Sequence, residues 1–388
     1  MYENEYGTQS MIEIPVIQNP NAPVWQAPQI KAIRRRTRKV WVGTIPVGGD
    51  APISVQTMTK TKTSDIDGTV RQIDEAAEAG CDIVRITVND KEAADAMADL
   101  VRRSSLPIVA DIHFNHVFAL AAIKAGVAKV RINPGNIGSI DRIHEVLGAA
   151  KDRGIPIRIG VNSGSLEEDI LEKHGYPTSE ALFESAMRHA QICEDFGFRD
   201  VIISVKSTDV RLMIEAYRTL AERTDYPLHL GVTEAGTTKV GTIKSAVGIG
   251  TLLAEGIGDT IRVSLTDEPF KEVEVGKEIL RSLGLASRNV EIIACPTCGR
   301  LEVDLFKITN ELEERLQGVK KPVKIALLGC VVNGPGEASE ADIGIAAGKG
   351  VGILYRKGQV VRRLKEEEII DAVLEEVMNF VPEQRPAE

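Results

Sequence analysis

The stretch "TVRQIDEAAEAGCDIVRITV" (residues 69–88) runs from an Ala- and Glu-rich segment with helical spacing, across a glycine, into a short β-branched strand. From residue 51 to about 285 the chain repeats this phrase, a strand, a polar or Gly-rich loop and a helix, eight times. The strand candidates are "PISVQTM" from Pro52, "DIVRITV" from Asp82, "PIVADIHF" from Pro107, "KVRINPG" from Lys129, "PIRIGVN" from Pro156, "DVIISVK" from Asp200, "PLHLGVTEAG" from Pro227 and "TIRVSLT" from Thr260. Nearly continuous apolar strands alternating with helices indicate a parallel sheet covered on its outer face, and eight such units close a (β/α)8 TIM-type barrel. An open doubly wound sheet is the competing arrangement, but no G-x-G-x-x-G follows the first strand. The segment "VWVGTIPVGGDAP" ahead of that strand suits a hairpin plugging the barrel floor.

A chain of 388 residues exceeds what one ordinary core supports, so a second domain is expected beyond the barrel. The expected division is a mobile N-terminal arm at 1–30, the barrel at 31–286 and a smaller α/β domain at 287–388. In the last, helices are expected at "VDLFKITNELEERLQ" and "KEEEIIDAVLEEVMNFV", and strands at "KIALLG", "ADIGIAAG" and "GVGILYRKGQVVRR". No apolar run approaches the roughly 20 residues needed to cross a bilayer, and the N-terminus lacks the order of a secretory signal. A net charge of −9 argues against nucleic acid as partner, and the run "RRRTRK" at 34–39 is read as a solvated strand flank. The five cysteines are too sparse for a disulfide framework, so a reducing cytoplasm is expected, with thiols free for metal.

Five strands carry a cation inside or at the end of the apolar run: Arg85, Arg131, Arg158, Lys206 and Arg262. Residues near the C-terminal ends of barrel strands line the mouth, where active sites are built. Carboxylates there are fewer, chiefly Asp111 and Glu234, so the mouth should favour a strongly anionic ligand such as one with two phosphate groups. The loops "NPGNIGS" and "GVNSGS" offer backbone N–H groups to phosphate oxygens. Asp111, His113, Asn115, Asn133, Asn162, Thr233 and Glu234 complete a polar ring, in which Glu234 could donate or accept a proton.

"CPTCG" at 295–299 is half of a metal site, and Cys330 in "LLGCVVNGPGEASEAD" is the only later cysteine. The last histidine is His229, so the second domain has no imidazole to offer, and Cys81 and Cys193 read as buried packing residues. That leaves oxygen from Asn333, Glu337, Glu340 or Asp342, within a sharp "NGPGE" turn. Three thiolates with one exchangeable corner suit a 4Fe-4S cluster better than structural zinc.

"CPTCGR" followed by "GCVVNGPGE", behind a barrel with "RINPGN", "IRIGVNSGS", "SVKST", "GVTEAG" and "IRVSL", resembles the bacterial 4-hydroxy-3-methylbut-2-enyl diphosphate synthases of the non-mevalonate isoprenoid pathway, over about residues 30–380. The resemblance implies a 4Fe-4S cluster on Cys295, Cys298 and Cys330, with Glu337 on the fourth iron until substrate displaces it. It implies reductive ring opening and dehydration of 2-C-methyl-D-erythritol 2,4-cyclodiphosphate by two electrons from reduced flavodoxin or ferredoxin. Glu234 would then supply the proton, while Arg85, Arg131, Arg158, Lys206, Arg262, Asn162 and Ser264 hold the diphosphate beside Thr233. The eighth helix returns the chain to the barrel floor, and "LASRNVEII" is a short connection, so a homodimer is expected in which each cluster domain caps its partner's barrel. The competing chemistry is a Schiff-base lyase or aldolase using Lys206, with the cysteines on structural zinc; a pterin-binding or other non-catalytic barrel is the third reading.

Overall fold

The computed structural model describes residues 34–132, 137–286, 290–330 and 334–381. The arm expected at 1–30, Asn133 with most of the "NPGNIGS" loop, and Asn333 lie outside the described residues. The chain divides into two compact units with the break between Ala286 and Ser287.

The first unit opens with an antiparallel hairpin of β1 (Val40–Val42) and β2 (Ile45–Val47). Eight parallel strands follow: β3 (Ser54–Met58), β4 (Ile83–Thr87), β5 (Ile108–Asp111), β6 (Lys129–Ile132), β7 (Ile157–Asn162), β8 (Val201–Lys206), β9 (His229–Leu230) and β10 (Thr260–Ile261). They are ordered β8-β7-β6-β5-β4-β3-β10-β9, and a parallel bridge from Ile203 to Leu228 links the two ends. Helices such as Ile66–Glu78, Lys91–Arg103 and Val210–Arg223 cover the outside, each started by an aspartate (Asp65, Asp90, Asp209) whose side chain accepts a backbone N–H of the first turn. The main core lies between strands and helices. Val40, Val42 and Val47 of the hairpin pack on Ile83, Val109 and Ile202 from the strands, forming the plug expected from the sequence.

The basic run at 34–39 departs from the solvated flank expected of it. Arg34 pairs with Asp259 at 3.1 Å, Arg38 pairs with Asp225 at 2.8 Å and lies over the Tyr226 ring, and Thr37 donates to Asp259 at 3.1 Å. Carboxylates from four separate places, Asp50, Glu194, Asp225 and Asp259, fasten this segment down.

The second unit is a five-stranded mixed sheet, β11 (Glu291–Ala294), β12 (Lys324–Leu328), β13 (Ile343–Gly348), β14 (Val351–Arg356) and β15 (Gln359–Lys365), in that order. Two expectations need correcting here. "LASRNVEII" is more than a connection, because Glu291 to Ile293 already pair with β12 in parallel register. The "NGPGE" stretch opens a short helix, Gly334–Ser339, in place of the sharp turn expected there. That helix rests on β13 at Gly344, where an added Cβ would lie 2.2 Å from the Ala338 carbonyl oxygen. Gly344→Ala should therefore lift the helix and cost about 1–3 kcal/mol, read as a lowered denaturation midpoint of the second unit.

Candidate active site

Alternation along the strands decides where the cations go. Arg85 stands between Val84 and Ile86, Arg131 between Val130 and Ile132, Arg158 between Ile157 and Ile159, and Arg262 between Ile261 and Val263. All of these neighbours, and Val205 before Lys206, belong to the core shared with the helices. With a period of two, the cations point the other way, into the barrel. Lys129 does the same: its Nζ donates to Gln56 Oε1 at 3.4 Å, a contact between β6 and β3, which are not neighbours in the sheet. Two bare positions make room for the guanidinium and ammonium groups. An added Cβ would sit 2.5 Å from Arg131 Nε at Gly160 and 2.9 Å from Lys206 Nζ at Gly231.

The counter-charges are unevenly shared. Asp111 accepts from Arg131 Nη1 at 3.2 Å and lies 3.6 Å from Arg85 Nε. Burial alone would raise its carboxyl pKa, but Arg85 and Arg131 outweigh burial and hold it at about 2. Burial brings the Arg85 guanidinium down to about 10 despite the attraction of Asp111. Across the barrel Glu272, on the first turn of helix Pro269–Ser282, lies 3.4 Å from Arg262 Nη2 and 3.6 Å from Lys60 Nζ. Among the described residues Arg158 donates only to Ser204 Oγ, at 2.6 Å, leaving its Nε and second terminal nitrogen buried without a partner there. Lys206 has no carboxylate within ion-pair distance among the described residues; burial, then Arg85, Arg158, Arg262 and Arg131, drive its pKa well below the usual value. The cations left without a carboxylate among the described residues are thus Lys129, Arg158 and Lys206 on β6, β7 and β8, and on the last two strands Asn162 and Lys206 are register partners.

Above this layer Thr233 is half-buried and donates its backbone N–H to the Ser207 carbonyl at 3.2 Å. Glu234 next to it is exposed and holds φ at 51°, a left-handed conformation uncommon outside glycine and found disproportionately at functional sites. Ser264 and Asn162 are half-buried. His113 is partly exposed, with Nε2 3.9 Å from Asp111 Oδ2. Asn115 leaves the expected polar ring, because its side chain accepts from Val117 N–H at 2.9 Å and caps helix His116–Ala125. Sequence reasoning passes over Lys129, which reads as the polar start of a strand, and Glu272, which reads as one acid among several on an amphipathic helix. The strand periodicity carries the signal for Lys129, since it stands two residues before Arg131 and so shares its face.

In the second unit a cavity of about 250 Å³ is lined by Cys295, Cys298, Cys330 and Glu337, with Arg300 and Gly334. Glu340 is not among the lining residues, and Asp342 accepts the Lys324 backbone N–H at 2.9 Å. The loop between the first two cysteines turns through Thr297 at φ 62°, a costly conformation for a β-branched residue. Arg300 Nε lies 3.5 Å from Cys298 Sγ, and this contact lowers the thiol's pKa. Cys81 and Cys193 are buried elsewhere, their thiols pushed up to about 12 by burial. Among the described residues no three Cys, His, Asp or Glu side chains converge on a single metal ion. The three thiols and one carboxylate instead surround a space, and such a donor set fits a thiolate-held cluster better than one tetrahedral zinc.

Asp111 supports two buried guanidiniums, so Asp111→Asn should cost about 3–5 kcal/mol of stability in chemical denaturation. Its folded pKa of about 2 lies below the unfolded value of about 3.9. The stabilisation is therefore present above about pH 4 and lost as pH falls through about 2, and the variant should lack that acid-dependent step.

Residues 37–277 match the GcpE TIM-barrel domain model and residues 291–379 match the GcpE protein C-terminal domain model. A Clostridium perfringens protein named 4-hydroxy-3-methylbut-2-en-1-yl diphosphate synthase (flavodoxin) is 57% identical, over 88% of this chain and 98% of its own length. Proteins of the same name from Symbiobacterium thermophilum and Bacillus subtilis are 56% and 54% identical, over 92% and 89% of this chain and 95% and 91% of theirs. None of these names describes a lyase or aldolase, so the Schiff-base reading of Lys206 finds no support. Matched by both GcpE models and more than half identical to these relatives along nearly their whole length, the chain belongs to the GcpE family of 4-hydroxy-3-methylbut-2-en-1-yl diphosphate synthases.

Proposed function

We propose that this protein opens the ring of 2-C-methyl-D-erythritol 2,4-cyclodiphosphate and expels water to give 4-hydroxy-3-methylbut-2-enyl diphosphate, taking two electrons from reduced flavodoxin. The observation that carries the reading is the barrel mouth, where Arg158 and Lys206 are buried without a carboxylate partner among the described residues. Two phosphoryl groups supply the missing negative charge. Arg85, Arg131 and Arg262, already steadied by Asp111 and Glu272, orient the ligand more than they neutralise it. Asn162, Ser264 and Thr233 add hydrogen bonds at the rim, and the exposed Glu234 carboxyl group delivers a proton to the departing hydroxyl.

Cys295, Cys298 and Cys330 with Glu337 would hold a 4Fe-4S cluster, which supplies electrons one at a time and an iron corner open to exchange. Arg300, beside Cys298, sets a positive charge against that anionic assembly. A cytoplasmic location, where flavodoxin can deliver electrons, is part of this reading; no helix among the described residues is long and apolar enough to cross a membrane. The catalytic unit is proposed to be a homodimer in which each cluster-bearing unit closes its partner's barrel and keeps water from the reduced intermediate.

Protein purified without oxygen should be brown, carry about four irons per chain, and convert the cyclodiphosphate with reduced flavodoxin. Colourless, zinc-loaded and fully active protein would sink the proposal. Glu337→Ala should change the cluster's visible spectrum and slow turnover strongly, whereas Glu340→Ala should do neither.

Closure across the dimer is tested by mixing two inactive variants, Glu234→Gln and Cys330→Ala, under conditions that exchange subunits. A mixed dimer retains one intact barrel facing one intact cluster, so activity should recover to about a quarter of wild type. No recovery despite subunit exchange would place barrel and cluster of one site in the same chain.

A further inference from the structure

Glu272 lies outside every motif that suggested the function, yet it is among the most completely buried acids of the barrel, at 1% exposure. Its two oxygens are almost fully committed. Oε2 accepts from Thr57 Oγ1 at 2.7 Å; Oε1 accepts the Leu265 backbone N–H at 3.1 Å; and both lie about as far from Arg262 Nη2, at 3.4 and 3.5 Å. Lys60 Nζ stands 3.6 Å from Oε1 and donates to the Leu265 carbonyl at 2.9 Å, which closes a ring of contacts around the segment.

Those partners bracket two residues of the proposed substrate set. The Arg262 side chain and the Leu265 backbone are held by one carboxylate, and Ser264 lies between them. Strand β10 ends at Ile261, and after the Arg262 backbone N–H has bonded the Leu230 carbonyl at 2.9 Å the Glu272 carboxylate takes over, accepting the Leu265 N–H. The helix beginning at Pro269 is a rigid mount, and its N-terminal dipole favours a carboxylate in the first turn. Arg262 is half-buried with Glu272 as its ion-pair partner among the described residues, so its guanidinium is held from one side.

We infer that Glu272 is a positioning residue: it sets the aim of Arg262 and Ser264 toward the substrate while touching no substrate atom itself. The inference rests on the function proposed above, because it takes Arg262 as a substrate contact. A purely structural role would instead lower stability and leave ligand affinity alone, and the two roles separate in a double-mutant cycle.

The experiment uses full-length, cluster-loaded enzyme and the variants Glu272→Gln, Thr57→Val and Arg262→Gln, with each of the first two also placed in the third. Substrate KM and kcat are measured, together with Kd for the cyclodiphosphate on oxidised enzyme. Glu272→Gln should raise KM and Kd about tenfold and change kcat less than about threefold; Thr57→Val, which removes one of the carboxylate's fixed bonds, should raise both about threefold. In the Arg262→Gln background each should add less than about twofold, because the residue being aimed is gone. Full additivity, or a lowered melting temperature with Kd unchanged, overturns the inference, and if Glu272→Gln does not fold the Thr57→Val cycle decides the matter in the same way. The same cycle is run with inorganic pyrophosphate, which separates the substrate assignment from the role of Glu272: wild-type protein that binds pyrophosphate but not the cyclodiphosphate sinks the proposed substrate, and the cycle is then read in pyrophosphate Kd, where full additivity still overturns the role of Glu272.

Discussion

Like charges packed inside a barrel that excludes water are the constraint to which the rest of the first unit answers. Each cation loses hydration on entering the interior, and burial there strengthens the repulsion among Arg85, Arg131, Arg158, Lys206 and Arg262. The fold contains this cost by distributing two buried carboxylates, Asp111 on β5 and Glu272 beyond β10, to opposite sides of the ring. Between them Arg158 and Lys206 remain without charged partners among the described residues. A folded chain can tolerate such an arrangement only if packing elsewhere is ample, and the core between strands and helices, together with the hairpin plug, provides it.

The second unit works by different means. Its sheet brings the loop after β11 and the loop after β12 side by side, because those strands are parallel neighbours and their C-terminal ends fall at one edge. Cys295 and Cys298 leave one strand end and Cys330 follows the other. Thr297 holds an unfavourable backbone conformation between the first two thiols, and Gly344 allows helix Gly334–Ser339 to lie against the sheet with Glu337 toward the cavity. Strain and close approach are concentrated where a ligand set must be aimed.

Much of this is legible in the sequence, for physical reasons that differ between units. A buried parallel strand needs hydrophobic residues on its outer face, so a cation inside such a run stands out, and Arg85, Arg131, Arg158 and Arg262 are each legible in that way. Lys129 is not, since a charged residue at a strand's first position is ordinary. Glu272 is hidden more deeply: helix Pro269–Ser282 carries other acids at similar spacing, and only the tertiary contacts single one out. The basic run at 34–39 misleads because its partners, Asp225 and Asp259, lie far along the chain, and no local pattern records them. In the second unit cysteine spacing points to the lining of the cavity, but β11 escapes notice because its four residues adjoin a connection and two of them are exposed.

On the proposed function, the uneven sharing of counter-charge favours a proton donor at the rim over one inside the ring. Inside the ring a carboxyl group would be drawn to Arg158 or Lys206, becoming a fixed structural anion like Asp111 and too acidic to give up a proton usefully. Glu234 stands at the rim instead, exposed, on a loop held by the Thr233 to Ser207 hydrogen bond and in a left-handed conformation that turns the chain. In the proposed dimer, closure by the partner's cluster-bearing unit would desolvate Glu234 above cations whose charge the substrate phosphates offset. The proposed proton donor and the anion-binding cations thus occupy different layers, and the separation follows from where the barrel strands end.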